Sequence, residues 1–180
     1  MAELLNSSIL SAIISAIVAV TIFFISQWIL SRRSTVELRT KKLEELYLSL
    51  NELSNSHAVR FEIIRNISGG KRDILDDPEH THKIYLLDIN KKILMYVRLY
   101  FPELKDTHIE LFHGNRLIIE KIYELLEEGK IDQEEFIQVF VNFGNYIKRM
   151  EEEIITNRNT LIKDNILPAK YKRYKESGGL

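Results

Sequence analysis

Glu79-His80-Thr81-His82, with Asp76 and Asp77 close by, is the set in this chain best suited to hold a metal ion. Imidazole and carboxylate are the donors that zinc and related metals take. The spacing works against the pair, because alternate residues on a helix start point about 200° apart. Neither an HExxH motif nor a cysteine supports it. A second stretch, residues 127–136 (EEGKIDQEEF), is similar to the second half of a calcium-binding EF-hand loop. With Gly129 at the sixth loop position, Ile131 takes the eighth and Glu135 the twelfth. The first and third positions then fall on Glu124 and Leu126, and leucine has no donor atom. A capped turn between helices accounts for the residues. His108 and His113 are five apart, share no helix face and read as solvated. His57 falls on an apolar stripe and reads as a hydrogen-bonded core residue.

No nucleophile elbow, phosphate loop, dinucleotide fingerprint or kinase set is present. The carboxylates, Glu151, Glu152 and Glu153 among them, stand beside Lys and Arg on solvated faces, and no pair is marked for acid–base work. With no cysteine, disulfides, thiolate metal sites and cysteine nucleophiles drop out together, which fits a reducing compartment. A formal net charge of −1 argues against a general nucleic-acid binder. We therefore expect no catalytic residue, no metal and no cofactor.

What must be positioned is instead a set of helices. The 180 residues hold only 7 Gly and 3 Pro, so long helices are expected. Residues 9–30 read ILSAIISAIVAVTIFFISQWIL, without a charge. At 1.5 Å per residue this run reaches roughly 33 Å, enough to cross a hydrocarbon core of about 30 Å. A cleaved signal peptide fits poorly: the preceding residues carry Glu3 and no Lys or Arg, and no small-residue cleavage site follows. Trp28 suits a headgroup level. Arg32, Arg33, Arg39, Lys41 and Lys42 follow the span, which places the N-terminus outside and the remainder in the cytoplasm. Ser8, Ser11, Ala12, Ser15, Ala16 and Ala19 share one helix face and would let a second helix backbone approach closely. Small residues are also simply common in such helices.

Four helical blocks follow. The first, about residues 35–67, carries Leu43, Leu46, Leu50, Leu53, His57, Phe61 and Ile64 near heptad spacing and ends at Ser68-Gly69-Gly70. With no Pro or Gly between the span and this block, one helix could carry both. The second, about 81–101, has Leu86, Leu87, Ile93, Leu94, Val97, Tyr100 and Phe101, and Pro102 stops it or opens the next helix. The third, about 103–128, has Leu111, Phe112, Ile118, Ile119, Ile122, Leu125 and Leu126. The fourth opens at Asp132, with Glu135 three residues on as in a capping box. It runs to about residue 165 with Phe136, Phe140, Phe143, Ile147, Met150 and Ile154 alternating by four and three. Four such stripes can bury one another as an antiparallel bundle.

An even number of helices returns the chain to its start, so the tail AKYKRYKESGGL after Pro168 is expected near the membrane. Lys170, Lys172, Arg173 and Lys175 would join Arg32, Arg33, Lys41 and Lys42 in a basic collar, or form a solvated end.

The run Tyr96-Val97-Arg98-Leu99-Tyr100-Phe101-Pro102-Glu103-Leu104, after a span and a helix containing Lys42-Leu43-Glu44-Glu45-Leu46-Tyr47, resembles uncharacterised bacterial single-pass membrane proteins with a helical cytosolic domain. The resemblance covers the layout and these short runs, and implies a bacterial origin without a transferable activity. The expected organisation is all-α: an extracytoplasmic residue 1–8 segment, a transmembrane helix at 9–30, a cytoplasmic four-helix bundle-like domain at 31–167 and a basic tail at 168–180. The expected role is a non-enzymatic interaction or scaffold module at the inner membrane. Its partners would be the bilayer and a second copy, or another membrane or cytosolic protein, with no nucleic acid. The alternative is an oligomeric membrane-permeabilising effector of a bacterial toxin or anti-phage system.

Overall fold

The computed structural model describes residues 2–70, 84–128 and 132–163. Every regular element among them is helical: α1 (Ala2–Ser68), α2 (Leu87–Tyr100), a 3-10 turn (Pro102–Leu104), α3 (Lys105–Glu128) and α4 (Gln133–Leu161). The apolar run and the first heptad block thus lie in one 67-residue helix. The chain divides into compact units, one containing residues 1–38 and another formed by residues 39–162.

In the N-terminal unit, residues 11–30 are exposed at every position. α1 is the one helix among the described residues long and apolar enough to cross a membrane, with an 18-residue window of mean hydropathy 2.3. At the end of the run the Arg32 guanidinium lies 4.4 Å from the Trp28 ring centre, one helical turn away.

In residues 39–162 the core follows the four-three spacing read from the sequence. On α4, Phe136, Phe140, Phe143, Ile147, Met150 and Ile154 are all buried. On α1, Leu43, Leu46, Leu50, Leu53, Ile64 and Ile67 are buried with them. The expected faces of α2 and α3 need correction: Leu87 and Phe112 are exposed, while Tyr96, Thr107 and His108 are buried. α3 turns a face of small and polar residues inward, and Gly114 is the reason it comes close to α4. A Cβ there would stand 2.7 Å from Cδ2 of Tyr146 and 3.1 Å from Cδ2 of Phe143.

The helix ends use the expected chemistry in part. α1 closes with Gly69 N–H donating to Arg65 O at 3.1 Å and Gly70, at φ 93°, donating to Ile67 O at 3.0 Å. Pro102 opens the turn that leads into α3, where its missing N–H costs nothing. Asp132 caps α4, its Oδ1 accepting from the N–H groups of Glu134 and Glu135 at 2.9 and 3.2 Å. Glu135 itself accepts from Lys121 Nζ at 2.9 Å, which ties the start of α4 to α3. The C-terminal end of α2 is capped from α1: Arg39 Nη2 donates to Tyr100 O at 3.0 Å, with Glu103 Oε1 at 3.5 Å. α2 starts after Leu86, a buried non-glycine residue with φ 51°.

Candidate functional site

The residues with chemical potential are distributed as follows. His80, His82, Asp76, Asp77, Gly129, Lys170, Lys172, Arg173 and Lys175 lie outside the described residues, as does the side chain of Ser8. Ser11, Ala12, Ser15, Ala16 and Ala19 are exposed on α1, as are Arg32, Arg33 and Lys41. Lys42 is half-buried, donating to Glu45 Oε2 at 2.6 Å, an oxygen that also accepts from the Tyr96 hydroxyl at 2.8 Å. Lys42, then Tyr96, hold the Glu45 carboxyl below its ordinary range. Among the described residues, no three His, Asp or Glu side chains gather as a metal would require. His113 is exposed as expected, but His108 is buried, and desolvation with nearby Arg98 pushes its imidazole below the ordinary range.

The polar chemistry of the core lies elsewhere. Positions 39, 43, 46, 50, 53, 57, 60, 64 and 67 of α1 alternate by four and three, so His57 and Arg60 occupy inward slots. Arg60 is 0% exposed. Its Nη1 donates to Asn115 Oδ1 of α3 at 2.8 Å. Its Nε and Nη2 have no acceptor among the described residues. Burial pushes the guanidinium down to about 9, with Tyr85 acting in the opposite direction. No described carboxylate stands close enough to act on this charge. A buried guanidinium without a counter-charge costs several kcal/mol, so the arrangement asks for a compensating group.

One turn earlier, His57 Nε2 lies 3.0 Å from Phe140 O of α4. A carbonyl only accepts, so Nε2 carries the proton and Nδ1 presents its lone pair. Nδ1 is buried with no partner among the described residues. The ring stacks on Phe140 at 4.8 Å between centres, with Phe143 edge-on at 4.8 Å. Desolvation first, and the Arg60 charge also, lower this imidazole to about 4, against the raising effect of the Phe140 carbonyl. The folded state therefore binds fewer protons than the unfolded chain between about pH 4 and 6.5. Stability from His57 is complete above that window and falls as pH drops through it. We expect about 2 kcal/mol to be lost between pH 7 and 4.5 from this group. The loss should appear as the difference between wild type and His57→Gln in denaturation series across that range. Parallel curves for the two proteins would refute the assignment.

No family model matches the chain, no curated protein is significantly similar to it, and no solved structure resembles it significantly. The class the fold defines is an all-helical protein with one candidate membrane-spanning helix.

Proposed function

We propose that the chain is a single-pass inner-membrane anchor for a helical interaction module of bundle type, with the N-terminus outside and the helical domain in the cytoplasm. The observation that carries this is the run at residues 11–30, apolar, uncharged and exposed at every position of α1, while residues 39–162 bury a core of their own. A helix that presents apolar side chains all round belongs in lipid or against other helices. The positive flank Arg32, Arg33, Arg39, Lys41 and Lys42 supports the orientation. The small-residue face supports pairing with a second span, and the absence of an assembled catalytic set among the described residues supports a role through binding.

The lack of cysteine makes the topology directly testable, because any introduced thiol is unique. In intact spheroplasts, an impermeant maleimide should label Ser7→Cys, and should label Ser54→Cys only after the membrane is opened. The reverse pattern would invert the proposed orientation, and carbonate extraction of the protein would remove the anchor. For the module itself, the purified chain in mild detergent should run as a dimer or larger by light scattering, or bring a partner with it. A lone monomer would overturn the interaction reading.

A further inference from the structure

Arg60 raises a question that membrane anchoring does not answer. A cation placed 0% exposed in an apolar core, held by one hydrogen bond among the described residues, is an expensive feature unless it receives something. The two nitrogens without acceptors among the described residues are Nε and Nη2. In a guanidinium, Nε–H and one N–H of Nη2 point in parallel from the same edge, the edge that grips two oxygens of a carboxylate or phosphate. Asn115 occupies Nη1 and so fixes the plane of the group, while that edge has no acceptor among the described residues.

We propose that Arg60 is the anchor of a binding site for a small organic acid, whose carboxylate is gripped by the Nε/Nη2 edge while Asn115 holds the guanidinium in place. Charge selects the class of anion. Arg60 brings one positive charge, His57 beside it is neutral at physiological pH, and no described carboxylate acts on Arg60. A monoanionic carboxylate leaves the buried site neutral, whereas a phosphate dianion would bury a net negative charge. The buried core of this domain is apolar, which favours an acid with an apolar body. Tyr85, partly exposed, and Tyr123, half-exposed, pack ring to ring with centres 6.4 Å apart, and Tyr85 acts on the Arg60 charge. Next to Tyr85, Leu86 holds a left-handed backbone that non-glycine residues rarely adopt.

The test uses the full chain in mild detergent, with sodium benzoate as probe and benzamide and inorganic phosphate as controls. Benzoate should raise the melting temperature saturably, by several degrees, and shift the Arg60 Nε–H signal in nitrogen-15 spectra. Benzamide, of the same shape without the charge, should do neither. Arg60→Lys keeps the charge but not the two-pronged edge, and should bind benzoate at least tenfold more weakly. No response of the wild type to benzoate, an equal response to benzamide, or a response to phosphate alone would each overturn the proposal. So would an undiminished response in folded Arg60→Lys. None of these readouts depends on membrane orientation or self-association.

Discussion

Asn115→Leu should destabilise the helical domain by about 2–3 kcal/mol, whereas adding Arg60→Met to it should leave the protein more stable than wild type by about 1–4 kcal/mol. The single change removes the only described acceptor of a fully buried guanidinium while the charge stays in place. The double change replaces cation and acceptor with apolar groups of similar volume and removes the desolvation cost altogether. A sign reversal between single and double variant is a sharper outcome than either magnitude. The measurement is a urea or thermal melt of the full chain in detergent. It should be followed by tyrosine near-ultraviolet dichroism, because the single tryptophan, Trp28, lies in the apolar run and not in the domain. Additive destabilisation, with the double variant weaker than Asn115→Leu, would mean that Arg60 contributes net stability as it stands.

The second large effect is expected at Phe143. Its ring is 0% exposed, meets His57 edge-on at 4.8 Å and lies against the Gly114 backbone, where α3 comes close to α4. Phe143→Ala opens a cavity that Gly114 has no side chain to refill, so the loss should be about 4 kcal/mol. Domain stabilities are of the order of 5–15 kcal/mol, so this approaches unfolding at growth temperature. The variant should also let water reach His57 and raise its imidazole from about 4 toward its ordinary 6.5. The acid sensitivity of the folded protein should then shrink together with its stability. A stability loss below 1 kcal/mol, with an unchanged pH profile, would contradict the packing described.

The parts of the fold legible in the sequence are those where apolar residues alone define a face. On α4 the six residues Phe136 to Ile154 at four-three spacing are all buried, because nothing polar interrupts the pattern. α3 defeats the same reading. Its buried face includes Thr107, His108, Gly114 and Asn115, so apolar content pointed partly to Phe112, which lies about 100° round the helix from buried Leu111. Arg60 was hidden for the opposite reason: an arginine reads as solvated, yet its place in the series 53, 57, 60, 64 is an inward slot. That spacing was the available signal. Its partner Asn115 lies 55 residues away, and His57 reaches a carbonyl 83 residues on. Such pairings depend on how helices meet and leave no trace in local periodicity.

Those separations impose an order on biosynthesis. The inward stripe of α1 is complete at Ile67, but its partner carbonyl at Phe140 is made 73 residues later. At about 5–20 residues per second, this is a delay of roughly 4–15 s. In its early part, before Asn115 and the later helices are made, the newly made chain carries a row of leucines and a buried-type arginine without their native partners. Neighbouring copies translated from one message would present the same row to each other during that interval.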